Sequence, residues 1–198
     1  MLKRMLDLLA AAAGLVLIAP VLLLIAIAVK LDSPGPVLFR QERVGRHGAP
    51  FRIRKFRTMV QDAPKLGGAI TVGRDPRITR VGHWLRRYKL DELPQLVDVL
   101  IGDMSLVGPR PEVPRYVALY PAGIRERVLS VRPGITDNAS LAFIDENARL
   151  AGAEDPEKEY VERILPHKLG LYLDYVDNQS FGRDVSILLR TALRILLR

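Results

Sequence analysis

The chain has 198 residues, 48% of them hydrophobic, which is enough for one domain with a buried core and too apolar for a disordered chain. Its 30 Lys and Arg outnumber 22 Asp and Glu, and the net charge of +8 points to an anionic partner: nucleic acid, phospholipid headgroups or a phosphorylated substrate. The absence of cysteine excludes disulfides and thiolate chemistry. The 3 histidines are scattered, so any metal is expected to be a hard cation held by carboxylates and phosphate.

Leu8 to Val29 is an uncharged apolar run of 22 residues. As a helix it reaches about 33 Å, enough to cross a bilayer. Ala26-Ile27-Ala28 fits a signal-peptide cleavage site only loosely, and the run is long for that purpose. Pro20, near the middle, removes a hydrogen bond and kinks a helix, so a re-entrant hairpin competes with a simple span. Lys3, Arg4 and Lys30 flank both ends with positive charge, which suits two cytoplasmic ends. The residues alone leave spanning and re-entrant readings open.

Asp32-Ser33-Pro34-Gly35-Pro36 predicts a turn, and Val37-Leu38-Phe39 a short strand. Residues 40–57 are the most basic stretch, with Arg40, Arg43, Arg46, Arg52, Arg54, Lys55 and Arg57 against Glu42. Phe51 to Arg57 alternates apolar and basic residues, the pattern of a half-buried strand with a cationic face. The same face would serve as a solvated edge or a lipid-headgroup patch. Gln61 to Arg77 has no periodicity and reads as a loop. Ile78 to Tyr88 reads as a helix with Val81, Trp84, Leu85 and Tyr88 on one face, Trp84 serving core or membrane-interface packing.

Lys89-Leu90-Asp91-Glu92-Leu93-Pro94-Gln95 is the most informative stretch. Acids followed by proline and an apolar run predict a helix start, where negative charge offsets the macrodipole. The bland reading of Asp91 and Glu92 is therefore helix capping. The other reading is a carboxylate pair ringed by Arg86, Arg87 and Lys89 that attacks and coordinates a phosphate.

Gly102 to Pro111 is dense in glycine and proline and predicts an irregular backbone. Arg110, between two prolines, is held extended, which suits bidentate phosphate binding or a rigid linker. Arg132-Pro133-Gly134 repeats the pattern. Residues 145–162 are acid-rich and predict a solvated helical region, and Leu165 to Val176 a helix. Val185 to Arg198 places Arg190, Arg194 and Arg198 in one stripe on an apolar helix, which fits a membrane interface or a core helix with one solvated edge. There is no internal repeat and no second globular domain in the pattern.

Taken in order, Gln41-Glu42-Arg43-Val44-Gly45, Lys55-Phe56-Arg57-Thr58-Met59, Leu90 to Gln95, Gly102-Asp103-Met104-Ser105, Gly108-Pro109-Arg110-Pro111 and Arg132-Pro133-Gly134-Ile135-Thr136 resemble the bacterial sugar transferases, the small monotopic phosphoglycosyl transferases. That resemblance covers most of the chain. It implies a mainly helical α/β fold with a small sheet. A re-entrant membrane helix at 1–31 would be joined to a cytoplasmic catalytic domain at 32–198, with interfacial amphipathic helices.

The resemblance also implies chemistry. A UDP-sugar gives its phosphosugar to polyprenyl phosphate and UMP leaves, the initiating step of surface-glycan synthesis. Asp91 would be the nucleophile, forming an aspartyl-phosphosugar. Glu92, with Asp91, would hold Mg²⁺. Lys55, Arg86 and Arg110 match the family's basic positions and are expected at donor phosphates, with Arg43 and Arg132 as further candidates. The expected partners are a UDP-sugar, polyprenyl phosphate and the inner-membrane lipid surface, with no nucleic acid; homo-oligomers stay open. Two departures stand out. Ala19-Pro20 replaces the family's Ser-Pro at the helix break, and Lys89 stands where many members have serine. The region after Thr136 also departs and is where sugar selection is expected. The competing reading is a non-enzymatic anchored protein whose basic face binds anionic lipid or nucleic acid.

Overall fold

The computed structural model describes residues 2–66, 71–73 and 75–197. Its elements are α1 (Leu2–Asp32), β1 (Leu38–Val44), β2 (Pro50–Phe56), α2 (Ala63–Leu66), α3 (Arg80–Arg87), α4 (Gln95–Ile101), β3 (Ser105–Val107), α5 (Pro114–Val117), α6 (Ala122–Val128), β4 (Gly134–Thr136), α7 (Asn138–Ala142), α8 (Glu146–Ala151), α9 (Pro156–Glu159), α10 (Leu165–Asp177) and α11 (Phe181–Leu196). Short 3-10 turns occupy Arg46–Gly48 and Leu90–Glu92, and Tyr160–Ile164 is a π-helical turn. The mainly helical α/β class expected from sequence is what the chain adopts.

β1 and β2 form an antiparallel hairpin with Phe39 opposite Lys55 and Arg43 opposite Phe51. The first strand thus runs well beyond the Val37–Phe39 segment, through the basic residues to Val44. β3 and β4 pair in parallel, Ser105 with Gly134 and Val107 with Thr136, inside stretches expected to be irregular. Glycine permits that pairing: a Cβ on Gly134 would stand 2.1 Å from the Gly108 nitrogen. Part of the expected loop at 61–77 is structured, with α2 and a bridge between Met59 and Ile78 just outside it; residues 67–70 and 74 of that loop lie outside the described residues.

α1 is continuous from Leu2 to Asp32 with Pro20 inside it, so the break expected at Ala19-Pro20 does not end the helix. A lost backbone bond is tolerated when the flanking turns remain paired. The domain grips both ends. Near the start, Lys3 Nζ donates to the Val107 carbonyl (3.0 Å) and Asp184 (2.8 Å), and Arg4 to the Val99 carbonyl (2.8 Å). Asp7 is buried and accepts from Ser105 Oγ (2.9 Å) and Leu106 N–H (3.0 Å). At the other end Asp32 accepts from Val81 N–H (2.9 Å), and Arg57 Nη2 donates to the carbonyls of Val29 (3.3 Å) and Ser33 (2.6 Å).

Between these anchors Ala11 packs with Val99, Met104 and Ile187, and Val29 with Phe56 and Leu85. The outer side stays bare: Val16 is 79% and Leu17 81% exposed. A core helix of this apolarity would be covered, so this face is one that avoids water by meeting lipid.

A second core surrounds α10, where Leu169 and Tyr172 meet Tyr116, Val128, Leu150 and Tyr160. The acid-rich 145–162 region is therefore not simply a solvated helix, because Leu150 and Tyr160 are core. α11 buries only Asp184 and Ile187 and leaves Leu189, Leu193 and Leu196 exposed beside Arg190 and Arg194, with exposed Leu197 just beyond it, the composition of an interfacial helix. The third arginine of that stripe, Arg198, lies outside the described residues. Trp84 is exposed rather than core and sits 4.8 Å from the Tyr88 ring.

Candidate active site

A cavity of about 1260 Å³ opens between the β1–β2 hairpin, the turn before α4 and the α8–α10 region. Asp91 and Glu92 line it, together with Lys55, Arg86, Arg110 and Arg43. Six of the seven residues singled out from sequence are thus brought together. Arg132 is not among them. Its Nε donates to the Gly102 carbonyl (2.9 Å) at the end of α4, where the helix's last carbonyls need donors.

The acidic pair does not cap a helix. Asp91 and Glu92 belong to the 3-10 turn Leu90–Glu92, and neither this turn nor α4 has a side-chain cap bond. The N–H groups of Glu92 and Leu93 are committed to the carbonyls of Lys89 and Leu90 (both 3.3 Å), so they are not free for phosphate. Lys89 precedes the turn in left-handed geometry (φ 56°, ψ 20°), uncommon for a residue with a side chain. That sharp corner ends α3 and brings the pair to the cavity wall.

β2 delivers Lys55. Its two-residue period puts Lys55 on the face of Phe51 and Ile53, where the apolar–basic alternation of the sequence breaks. Lys55 Nζ donates to Glu92 Oε1 (2.9 Å). The segment after β3 delivers Arg110, whose Nη2 donates to Glu92 Oε1 and Nη1 to Oε2 (3.0 Å). Glu92 is thus clamped by two cations. Asp91 Oδ1, by contrast, is buried without a hydrogen-bond partner.

The two carboxyls titrate apart. Burial would raise Glu92, but Arg110 and Lys55 outweigh it and hold the group well below the usual carboxylate range. Burial, reinforced by the Glu92 charge, raises Asp91. Burial also lowers Lys55 to about 8, against the opposing pull of Glu92. Arg43 and Arg86 are lowered by burial too.

Arg86 Nε donates to Thr58 Oγ1 (2.8 Å) and Nη1 to Thr71 Oγ1 (3.2 Å). Arg43 donates to the Pro111 carbonyl (3.1 Å) and Gln41 Oε1 (2.7 Å). Sequence reasoning missed Arg57, Glu112, Tyr160 and Lys168 as cavity residues. Arg57 stood inside a quoted motif and carried a signal. Glu112 directly follows the Gly108 to Pro111 motif but was not singled out, and Tyr160 and Lys168 come from distant segments and carried no signal.

A hard cation finds a limited donor set. Asp91 Oδ1 has unused acceptor capacity, whereas Glu92 is already neutralised by Lys55 and Arg110. Among the described residues no group of three or more acidic or histidine side chains could hold a metal. Asp91 would be the side chain with capacity for a hard cation, which would need its further ligands from outside the protein.

The sequence profile of bacterial sugar transferases matches residues 1–198. The chain belongs to this family. The bacterial sugar transferase is 45% identical over 193 residues to a Caulobacter vibrioides protein named UDP-glucose:undecaprenyl-phosphate glucose-1-phosphate transferase, covering 96% of the chain and 67% of that relative. It is 40% identical over 196 residues to an Aeromonas hydrophila UDP-N-acetylgalactosamine-undecaprenyl-phosphate N-acetylgalactosaminephosphotransferase, covering 98% of the chain but 43% of that relative. It is 38% identical over 206 residues to the exopolysaccharide production protein PSS of Rhizobium leguminosarum, covering 96% of it. The chain thus spans under half of some longer relatives and nearly all of shorter ones.

Proposed function

We propose that this bacterial sugar transferase moves a sugar-1-phosphate from a UDP-sugar to polyprenyl phosphate by double displacement at Asp91. The observation that carries the reading is the asymmetry of the acidic pair. Glu92 is locked between Lys55 and Arg110, while Asp91, which lines the same large cationic cavity, has a buried Oδ1 with no hydrogen-bond partner. A free carboxylate oxygen beside phosphate-binding cations is what a nucleophile for phosphorus requires.

Asp91 attacks the phosphorus that bears the sugar, forming an aspartyl-phosphosugar as the bond to the UMP oxygen breaks. The polyprenyl phosphate oxygen then attacks the same phosphorus and releases the Asp91 carboxylate. Carboxylate and phosphate repel by about 4 kcal/mol at 4 Å and an effective dielectric near 20. Lys55, Arg110, Arg86 and Arg43 offset this by charge and by holding the diphosphate in line. Asp91 would hold a Mg²⁺, and the ion would supply further charge neutralisation on the leaving phosphate.

The apolar outer face of α1 supports membrane residence. Both α1 ends are fastened to one domain, which favours a monotopic arrangement with the domain on the cytoplasmic face of the inner membrane. The substrate classes in the relatives' names and the cationic cavity support the nucleotide-sugar and polyprenyl-phosphate assignment.

The test supplies polyprenyl phosphate, Mg²⁺ and a panel of UDP-sugars to purified protein in lipid, and measures UMP release. Release with wild-type protein, and none with folded Asp91→Asn, is the expected result. Intact-mass detection of a phosphosugar adduct on Asp91 in the absence of lipid acceptor distinguishes two steps from direct transfer. Release by folded Asp91→Asn at the wild-type rate would remove Asp91 from the chemistry.

A further inference from the structure

The cations assigned to the donor diphosphate leave Arg57 over. Arg57 lines the same cavity and is only 5% exposed. Its Nη2 donates to Ser33 Oγ (3.0 Å) as well as to the Val29 and Ser33 carbonyls. Its Nε and Nη1 are buried without a hydrogen-bond partner, and it has no ion pair among the described residues. A buried guanidinium with no counter-charge is costly unless an anion joins it.

The position of Arg57 decides which anion. It follows Lys55 by two residues, about 7 Å further along the hairpin, and its N–H bonds the Val37 carbonyl (2.9 Å). Lys55 reaches Glu92, whereas Arg57 reaches the last turn of α1. Pro36, Leu38, Phe39, Met59 and Val60 line the cavity from the segments next to Arg57, and all are apolar. Leu38 packs in the cluster of Ile25, Ala26 and Val29, so this lining continues onto the membrane helix. Phe39 is 39% exposed and Val60 37%, as is usual for a mouth rather than a core. An apolar mouth that joins a lipid-facing helix, beside one uncompensated cation, fits a phosphate that carries a hydrocarbon chain. A diphosphate bearing a nucleoside and a sugar offers no such chain.

Resting on the proposed transferase reading, we infer that Arg57 binds the phosphate of the polyprenyl acceptor, with the first isoprene units against Leu38, Phe39, Met59 and Val60. The acceptor then enters along α1 and meets Arg57 before Lys55. Two cations two residues apart thus divide the substrates: Lys55 serves the donor diphosphate and Arg57 the acceptor phosphate.

The experiment separates the two half-reactions in protein held in phosphatidylcholine vesicles. One measurement is the burst of UMP from UDP-sugar without acceptor; the others are the steady-state KM values for polyprenyl phosphate and for UDP-sugar. Arg57→Gln keeps donors for the α1 carbonyls but removes the charge. It should raise KM for polyprenyl phosphate by about tenfold or more and leave the burst and the UDP-sugar KM unchanged. Arg57→Lys restores the charge and should recover part of the loss. Phe39→Ser, which makes no contact with the α1 carbonyls, should raise the same KM alone, and it decides the matter if Arg57→Gln does not fold. An unchanged acceptor KM in folded Arg57→Gln or in Phe39→Ser overturns the inference, as does a burst weakened to the same degree as the acceptor step. Weaker binding of Arg57→Gln to phosphatidylglycerol vesicles with an unchanged acceptor KM assigns Arg57 to a phospholipid headgroup and also overturns it. All these outcomes leave the transferase reading intact, because the wild-type burst tests that separately. Absence of a burst from every donor in wild type overturns the transferase reading and this inference with it.

Discussion

Arg110 holds Glu92 with two guanidinium nitrogens, Nη1 on Oε2 at 3.0 Å and Nη2 on Oε1, and Lys55 Nζ meets the same Oε1 at 2.9 Å. One carboxylate thus organises two cations from β2 and from the loop after β3. The charge of Glu92 is spent on building the site, which leaves Asp91 as the acid with capacity for a substrate.

Arg110→Ala should therefore damage folding as well as activity. It leaves a buried carboxylate with half its compensation, a loss of about 3 kcal/mol. Arg110→Lys keeps the charge but loses the two-point grip and should cost less. Chemical denaturation alongside kcat/KM checks both, and equal stability of Ala and wild-type proteins would contradict the account.

The two acids should respond oppositely to neutralisation. Asp91→Asn removes a buried charge whose titration burial has raised, so thermal stability should hold or rise while turnover disappears. Glu92→Gln strands Lys55 and Arg110 and should lower Tm. The sign follows from linkage: a raised Asp91 stabilises the fold below its unfolded pKa, and that stability is lost as pH rises through its folded value. In Asp91→Asn this part of the pH–stability curve should flatten.

Activity should fall on both sides of neutrality. Asp91 must be ionised to attack, so its raised pKa places an acid limb above the ordinary carboxylate range. Lys55, lowered to about 8, loses its charge as pH rises through that value and sets the alkaline limb of kcat/KM. Lys55→Arg should move the alkaline limb upward, and an unmoved limb would assign it to another group.

Introduced cysteines report topology cleanly, because the chain has no native cysteine. Leu2→Cys and Arg52→Cys, both at exposed positions, should be labelled by an impermeant thiol reagent from the same side of the membrane. Labelling from opposite sides would show that α1 spans.

Gln95 is fully buried, and both amide atoms lack partners. Gln95→Met should stabilise the free protein by about 1 kcal/mol. A fall in Tm would show that this amide bonds an internal water.

Much of the site was legible from local pattern. The Asp91-Glu92 pair, Lys55 and Arg110 stand in compact motifs, and the family resemblance of those motifs singled them out. The alternation read over Phe51 to Arg57 in fact breaks at Lys55, and the structure shows that this is the residue β2 turns toward Glu92. The Arg-Pro pattern misled at Arg132: two segments with the same local composition have different partners, Glu92 for Arg110 and the Gly102 carbonyl for Arg132. Local stiffness says nothing about destination. Capping misled for a related reason, since a left-handed Lys89 puts the acids on a turn ahead of α4.

The sequence by itself determined the family, the apolar helix, the basic strand and the identity of the acidic pair, because each depends on residues close together in the chain. Tertiary structure alone decided that both ends of α1 rest on one domain and that Glu92 is saturated while Asp91 is free. It also decided that Glu112, Tyr160 and Lys168 share a wall with the acidic pair. These are pairings across tens of residues, and their energies come from burial and charge compensation that exist only once the segments have packed.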